Sequence, residues 1–281
     1  MRQPLGQHFL RDPKVVQAIL ASAELRPTDT ALEIGPGKGF LTDPLAARVR
    51  RLVAVELDGR LADNLRTRFA SKPSVSLVRG DILKADLGVL FPAEDQPIKV
   101  LGNLPYSITS PIFEKLMPWP GWSTGIFLIQ REVAERIAGM AGSRGILTMA
   151  IQLFAEVDTI LQVKPGAFQP PPKVSSSVIR LRRKKNPAVP LECHADFFDL
   201  LHGAFAHRRK TIANSLAFFS GIARSEIEPW LLRHKISPRA RAETLGLEDY
   251  AQLAVAWSIF RREMNLTTDR ATSTIPPRKD F

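Results

Sequence analysis

Two features are scarce in this 281-residue sequence: cysteine and long apolar runs. The single cysteine, Cys193, excludes an intrachain disulfide and a metal site built from several cysteines, which agrees with a reducing compartment. No stretch reaches the roughly 20 apolar residues that span a membrane, and the N-terminal segment lacks the apolar centre of a signal peptide. We therefore expect a cytoplasmic protein without a membrane segment or a bound metal.

Acidic residues are also outnumbered. The chain has 39 Lys and Arg against 28 Asp and Glu, which gives a formal net charge of +11 and a pI near 10.1. Such an excess of positive charge favours a polyanionic partner, either nucleic acid or an acidic membrane surface. Charge alone does not choose between these two partners.

Short runs rich in Val, Ile and Leu dominate the first two thirds of the chain. An amphipathic helix is predicted over residues 13–24, because its apolar residues recur at helical spacing. Five strand-like runs follow, separated by helix-like stretches: Ala31–Ile34, Leu52–Val55, Val75–Val78, Ile98–Leu101 and Gly125–Ile129. Alternation of this kind predicts an open, mostly parallel α/β sheet with helices on both faces. Two later runs, 157–163 and 176–181, are joined without a helix and predict an antiparallel hairpin at the sheet edge.

A second domain is predicted after the sheet. The linker RRKKNPAVP is charged and contains proline, and the pattern beyond about residue 190 is wholly helical. We therefore predict a catalytic α/β domain over residues 1–185 and a smaller all-helical domain over 190–265. The tail, residues 266–281, has too little apolar surface to order itself.

A glycine-rich loop, EIGPGKG, runs from Glu33 to Gly39 after the first predicted strand. Ligands bind at this place in open parallel sheets, because strand ends and helix N-termini meet there. An ordinary strand-to-helix turn is the alternative. In a dinucleotide motif the position of Phe40 would hold a third glycine, and Pro36 removes an amide donor. The spacing therefore disfavours a dehydrogenase and favours a nucleoside ligand without phosphates.

Carboxylates end the first three predicted strands. Glu56 is placed where an acid can accept hydrogen bonds from both ribose hydroxyls, although the helix-cap candidate Asp58 is an alternative for that contact. Asp81 is placed to accept from an adenine amino group, with a helix N-cap as the alternative. Glu33 stays ambiguous, since a glutamate at a strand end also serves to hold loop amides.

The tetrapeptide Asn103–Tyr106, NLPY, follows the fourth predicted strand. The exocyclic adenine amine is a poor nucleophile because its lone pair is delocalised into the ring. The Asn103 side-chain oxygen and the Leu104 carbonyl could accept its two hydrogens and favour a nucleophilic nitrogen. Pro105 would fix the turn and Tyr106 would stack on the base. The alternative is a proline turn with a packed tyrosine.

Several separated motifs occur in order along nearly the whole chain: GQHFL, EIGPGKGFLT, VAVELD, GDIL, NLPY, FQPPPKVSSSVIRL and HRRKTIANSL. In this the sequence resembles the adenine N6-dimethyltransferase family that modifies ribosomal RNA of the small subunit. The resemblance implies a Rossmann-like class I methyltransferase sheet and S-adenosylmethionine as co-substrate. It also implies, as substrate, two adjacent adenosines in a 3′-terminal hairpin loop of 16S rRNA within the small ribosomal subunit. A monomer with a role in subunit biogenesis is expected.

The same resemblance implies roles for individual residues. The predicted S-adenosylmethionine site consists of His8, Leu10, Gly35, Gly37, Glu56, Asp81 and Asn103. Many relatives carry asparagine in place of His8. We interpret His8 as a neutral hydrogen-bonding residue rather than a catalytic base, because methyl transfer from a sulfonium needs no strong base. Phe168 is implied as a second aromatic face opposite Tyr106. Without the resemblance, Phe168 would be interpreted as a loop aromatic packed in the core.

Basic clusters occur in RLRRKK and HRRK. Any one such run is usually a solvated face, but several of them beside a nucleic-acid site favour phosphate contacts. The predicted RNA-binding residues are Arg182, Arg183, Arg208, Arg209 and Lys210.

Three other functions are compatible with parts of this pattern. A DNA adenine methyltransferase is disfavoured, because Leu104 stands where the P-P-Y motif of those enzymes has proline. A non-catalytic RNA-binding assembly factor is disfavoured by the intact Asn103, Tyr106 and glycine loop. The sequence does not distinguish the small-subunit substrate from an adenine in 23S rRNA, except that HRRKTIANSL resembles the small-subunit family.

Overall fold

The computed structural model describes residues 7–139, 144–207 and 209–264. Arg208 and the tail predicted to be disordered, residues 266–281, lie outside the described residues. Within the described part, none of the helices combines the length and apolar character that crossing a lipid bilayer requires.

Strands and helices alternate through the first two thirds of the described chain, and only helices follow. The strands are β1 (Phe9–Leu10), β2 (Thr30–Ile34), β3 (Arg51–Glu56), β4 (Val75–Arg79), β5 (Ile98–Asn103), β6 (Trp122–Gln130), β7 (Ala155–Val163), β8 (Phe168–Gln169) and β9 (Ser176–Arg183). The helices are α1 (Pro13–Ala23), α2 (Thr42–Ala46), α3 (Gly59–Arg68), α4 (Leu87–Leu90), α5 (Thr109–Leu116), α6 (Arg131–Ile137), α7 (Ile146–Phe154), α8 (His194–Phe205), α9 (Ile212–Ser220), α10 (Arg224–Arg233) and α11 (Leu247–Glu263).

The chain divides into two compact units. The first consists of Met1–Ala138 and Ala155–Arg183, and the second of Gly139–Phe154 and Lys184–Phe281. The boundary between the two units at residue 184 lies near the start of the predicted linker. Helix α7, in contrast, groups with the helical unit although the sequence boundary assigned it to the sheet domain.

The first unit contains a seven-stranded sheet of order β4-β3-β2-β5-β6-β9-β7. Strands β2 to β6 pair in parallel, and β9 is antiparallel to both β6 and β7. The predicted open α/β sheet with an antiparallel hairpin at its edge is therefore confirmed. The strand order reverses between β2 and β5, and such a reversal leaves a crevice at the carboxyl ends of the strands.

Burial explains the strand conformation of β2, and an N-cap together with an apolar face explains helix α1. All five residues of β2 are buried between β3 and β5, as expected for a central parallel strand covered on both faces. Helix α1 begins at Pro13 after the N-cap Asp12, whose side chain accepts a hydrogen bond from the Lys14 amide. Its apolar face joins one core cluster with residues of β5, β6 and β9.

A second, two-stranded sheet pairs β1 with β8 antiparallel. Phe9 lies opposite Gln169, and Leu10 lies opposite Phe168. This ribbon was not predicted, because strands of only two residues are too short to show an alternating pattern in the sequence. It fixes the N-terminal segment beside the carboxyl ends of the main sheet.

The second unit has its own apolar core. Phe197, Tyr250 and Trp257 are fully buried there. Trp257 donates its indole N–H to Asp199 at 2.8 Å, and Arg261 donates to the same carboxylate at 2.6 Å. The predicted all-helical character of this region is confirmed for the described residues.

Candidate active site

A cavity of about 450 Å³ lies at the carboxyl ends of β2, β3, β4 and β5, where the strand order reverses. Its lining combines apolar side chains with a few polar groups, and none of the described residues that line it is Lys or Arg. A pyrophosphate-bearing dinucleotide needs positive charge or free amides at this place. The lining therefore favours an uncharged or cationic nucleoside ligand.

The glycine loop forms one wall of the cavity. Gly35 has a φ of +66° and Gly37 a φ of +58°, a region that side chains with a Cβ rarely adopt. A Cβ on Gly37 would also lie 3.0 Å from the Phe9 ring. The backbone of the loop is thus open to the cavity, while Phe9 packs against it from the N-terminal segment.

Glu56 ends β3 in the cavity wall and is only 4% exposed. Its two carboxylate oxygens accept hydrogen bonds from the amides of Gly37 and Asp58, each at 2.9 Å. Asp58 itself caps α3 by accepting from the amides of Arg60 and Leu61, and it is not among the lining residues. The structure therefore assigns the cavity position to Glu56 and the helix cap to Asp58.

Asp81 lies at the cavity and also holds the turn that follows it. It lines the cavity directly after β4, and its Oδ1 accepts from the Leu83 amide at 2.9 Å, which fixes the next turn. Leu57 and Ile82 provide apolar surface on the same side of the cavity. An aromatic base could lie between such surfaces with its polar edge toward Asp81.

Glu33 lies beneath the loop rather than in the cavity lining. It is 2% exposed, and among the described residues its Oε2 has no hydrogen-bond partner. Burial raises the pKa of its carboxyl from 4.5 to about 8, with the Thr42 hydroxyl opposing the rise and the carboxylates of Glu56 and Asp43 adding to it. With a pKa near 8, the Glu33 carboxyl is protonated at neutral pH.

Replacing Glu33 with glutamine tests this protonation. The folded wild type retains a proton that the unfolded chain releases between about pH 4.5 and pH 8, so its stability falls as pH rises through this window. The Glu33→Gln variant carries no titrating proton at this position. Its free energy of unfolding, relative to that of the wild type, is expected to rise by on the order of 3 kcal/mol from pH 5 to pH 8. Urea unfolding at both pH values measures the difference. The exposed Glu94→Gln serves as control, and parallel pH profiles for Glu33→Gln and wild type would contradict the account.

The NLPY tetrapeptide forms the opposite wall, and all four of its residues line the cavity. The Asn103 side-chain N–H donates to the His8 carbonyl at 2.9 Å. The Leu104 amide donates to the Leu128 carbonyl at 3.1 Å, which ties the turn to β6. The Tyr106 hydroxyl lies 2.9 Å from the hydroxyl of Ser176, which is fully buried. One N–H of the Asn103 amide is thus occupied, and the orientation leaves its side-chain oxygen as an acceptor.

His8 connects two segments at the mouth of the cavity. Its Nδ1 lies 2.8 Å from the Pro170 carbonyl oxygen, so the tautomer with a proton on Nδ1 donates this hydrogen bond. Its ring centroid lies 6.1 Å from that of Tyr106. Through its side chain and its carbonyl, His8 links the FQPPP turn to Asn103.

Two predicted site residues do not lie in the cavity. Leu10 is 7% exposed and Phe168 is 3% exposed, and both belong to the apolar cluster beside α1. Their pairing across the β1–β8 ribbon directs both side chains into the core. In this arrangement the Phe168 ring has almost no surface to offer a base, as in the alternative interpretation of a packed loop aromatic.

A family comparison decides what kind of protein carries this cavity. The model of the ribosomal RNA adenine dimethylase family matches residues 1–257. The chain belongs to the ribosomal RNA adenine dimethylase family.

Curated relatives agree with this assignment, and two solved structures are similar to the chain. The chain is 37% identical over 262 residues to a ribosomal RNA small subunit methyltransferase A of Dehalococcoides mccartyi, covering 92% of this chain and 88% of the relative. It is 41% identical over 256 residues to the protein of the same name from Syntrophotalea carbinolica, covering 90% and 95%. The structure of the 23S rRNA methyltransferase ErmE has a TM-score of 0.72 at 30% identity, covering 89% of this chain and 99% of that one. A dimethyladenosine transferase from Plasmodium falciparum, 23% identical, shares the fold with a TM-score of 0.77 over 90% of this chain and 98% of its own.

The basic residues predicted to bind RNA differ in their surroundings. Arg182 forms ion pairs with Asp158 at 2.8 Å and with Glu156 at 3.3 Å. Arg183 donates to the carbonyls of Met117 and Trp119, and its guanidinium lies over the Trp122 ring. Burial lowers the pKa of Arg183. Both arginines therefore have structural contacts on β9.

The other two described basic residues are exposed. Arg209 and Lys210 lie in the turn before α9, and no ion pair to either is found within the described ranges. They are better placed than the two arginines of β9 to contact a polyanion.

The sequence did not reveal that Ser176 contacts Tyr106. It lies 70 positions from Tyr106 and is one of three successive serines, so only the register of β9 against β6 brings its hydroxyl to the tyrosine. Leu57 and Ile82 were also missed, although each follows a predicted acidic site residue directly and could have been inferred from that position.

Proposed function

We propose that this protein transfers methyl groups from S-adenosylmethionine to the N6 amino groups of two adjacent adenosines in a 3′-terminal hairpin loop of 16S rRNA. It would act as a monomer on the small ribosomal subunit, in the cytoplasm, during subunit biogenesis. The observation that carries the proposal is the orientation of Asn103. Its amide N–H is held by the His8 carbonyl, and its oxygen is left to accept from an amine at the cavity that also contains Glu56.

The cavity residues fit S-adenosylmethionine. Glu56 has oxygen lone pairs left for ribose hydroxyls, and the loop at Gly35 and Gly37 leaves room for the chain of the methionine part. The two carboxylates, Glu56 and Asp81, suit a ligand with a sulfonium and an ammonium charge, and the lack of a described lining Lys or Arg suits one without phosphates. When bound, this co-substrate would supply an electrophilic methyl group on sulfur.

The chain's own groups would position the adenine amine. Asn103 Oδ1 and the Leu104 carbonyl would accept its two hydrogens, which localises the lone pair on nitrogen and directs it toward the methyl group. Tyr106, anchored through Ser176, would stack on the base. The proton leaves the nitrogen after the new bond has formed, so no strong base is needed. The second aromatic face assigned to Phe168 by resemblance would require the β1–β8 ribbon to rearrange.

The RNA would be held by phosphate contacts outside the cavity. Arg209 and Lys210 support this part of the proposal, since both are exposed in one turn. Arg182 and Arg183 would contribute less, because their guanidinium groups already contact carboxylates or carbonyls. Arg208 is assigned to the same function by sequence alone.

The relationship to ErmE favours a second candidate, an adenine in 23S rRNA. The experiment that separates the two supplies unmethylated small and large subunits, each with radiolabelled S-adenosylmethionine. It counts the label in each RNA and locates the modified adenosines as stops in primer extension. Label at two adjacent adenosines near the 3′ end of 16S rRNA supports the proposal. Label confined to 23S rRNA overturns it in favour of the second candidate.

Removing the Ser176 hydroxyl tests how Tyr106 is positioned. Ser176→Ala is expected to lower kcat roughly 3- to 30-fold, because the tyrosine ring loses its anchor, while the affinity for S-adenosylmethionine stays unchanged. Single-turnover methylation and isothermal titration measure the two quantities. Ser177→Ala is the matched control, since this buried serine lies on the other face of the same strand. Equal kcat values for both variants and the wild type would exclude an anchoring function.

A further inference from the structure

An exposed aromatic ring stands beside the basic turn of the helical unit. Phe218 on α9 is 72% exposed, although the next residue, Phe219, packs against α8 so closely that a Cβ on Gly203 would lie 2.7 Å from its ring. A polar residue in place of Phe218 would avoid exposing a large apolar surface to water. The Phe218 ring is therefore not part of the core of the helical unit.

The orientation of Phe218 is fixed by a neighbour. The His207 ring meets it edge to face, with centroids 4.3 Å apart and an angle of 88° between the planes. The His207 amide donates to the Ser215 hydroxyl at 3.2 Å, and that fully buried hydroxyl donates to the Gly203 carbonyl at 2.8 Å. Among the described residues the His207 Nε2 is buried without a hydrogen-bond partner, which is consistent with its packing against the ring.

Two positive charges belong to the same turn as His207. The Lys210 amide donates to the His207 carbonyl at 2.9 Å, so the turn that fixes His207 also carries Arg209 and Lys210. Both side chains are exposed. An exposed aromatic ring on α9 and two exposed cations in the turn before it match the two parts of a nucleotide, because the base stacks and the phosphate is neutralised.

We propose that Phe218, held by His207, is a stacking platform for an unpaired base of ribosomal RNA, with Arg209 and Lys210 contacting the phosphates of the same strand. This base is distinct from the adenosine that enters the cavity. The inference rests on the proposed function, since it takes ribosomal RNA as the partner, and it adds a specific contact within the helical unit. Base stacking carries little sequence information, so the platform would contribute affinity and register.

The test measures affinity of the full chain for unmethylated small subunits over a range of salt concentrations. Phe218→Ala is expected to weaken binding about 10-fold without changing the salt slope, which is the slope of log K against the logarithm of the salt concentration. Phe218→Trp is expected to bind as tightly as the wild type. Arg209→Ala and Lys210→Ala are each expected to reduce the salt slope by about 0.7–0.9, because each removes one phosphate contact. Leu191→Ala, at a leucine that is 80% exposed in the same unit, is the matched control and is expected to bind as wild type.

Ultraviolet cross-linking of the Phe218→Trp complex, followed by mass spectrometry, identifies what the ring contacts. A nucleotide attached to the peptide that contains residue 218 supports the platform. Wild-type affinity for Phe218→Ala overturns it, and attachment to a ribosomal protein overturns it in favour of a protein contact. If the wild type itself neither binds nor methylates small subunits, the proposed function fails. If it does both and Phe218→Ala behaves identically, only the platform fails.

Discussion

Replacing Asn103 with alanine is expected to lower kcat for methyl transfer roughly 100- to 1000-fold, the loss typical of removing one preorganised polar group that acts on the reacting atom. The alanine variant has no side-chain oxygen to accept from the adenine amine, and it also loses the hydrogen bond to the His8 carbonyl. Affinity for S-adenosylmethionine is expected to fall at most about 10-fold, because Glu56 and the glycine loop remain. Single-turnover methylation with saturating co-substrate separates the two effects.

The control for Asn103→Ala is Asn64→Ala, at an exposed asparagine of α3. It removes the same group far from the described lining of the cavity and is expected to leave kcat unchanged. If Asn103→Ala methylates at the wild-type rate once the co-substrate is saturating, Asn103 has only a binding function and the mechanism is wrong.

Replacing Glu56 with glutamine is expected to weaken S-adenosylmethionine binding roughly 10- to 100-fold. Both carboxylate oxygens accept from backbone amides, those of Gly37 and Asp58. A glutamine NH₂ group would face one of these N–H donors, so the variant loses an acceptor and gains a clash of donors in the loop wall. Isothermal titration with the co-substrate measures the change.

Asp58→Asn is the matched control for Glu56→Gln, because it also removes one negative charge two residues away while asparagine still caps a helix. Its affinity for S-adenosylmethionine is expected to stay within about twofold of wild type. The reverse outcome, with Asp58→Asn impaired and Glu56→Gln intact, would assign the ribose contact to Asp58.

Sequence patterns predicted the sheet well because parallel strands buried on both faces leave continuous apolar runs. LVAV of β3 is such a run, and the acids and glycines that follow the runs mark the carboxyl ends of the strands. The cavity positions of Gly35, Glu56, Asp81 and Asn103 follow from that rule. The order of β9 and β7 does not, since both orders place an antiparallel hairpin at the edge.

Contacts between distant short segments could not be predicted. The register that pairs Leu10 with Phe168 joins positions 158 apart in two-residue strands, and it directs Phe168 into the core. The raised pKa of Glu33 depends on its complete burial under the loop, and the sequence EIGPGKG does not show that this glutamate is buried. Likewise, the exposure of Phe218 beside Phe219, whose ring contacts Gly203 of α8, depends on how α9 packs on α8.

The most direct test of the central claim is nucleoside mass spectrometry of RNA from unmethylated small subunits incubated with this protein and S-adenosylmethionine. The account predicts N6,N6-dimethyladenosine with the wild type and essentially none with Asn103→Ala, while both proteins bind the subunits. Small subunits that bind the wild type but yield no methylated adenosine would contradict it and favour a non-catalytic assembly factor.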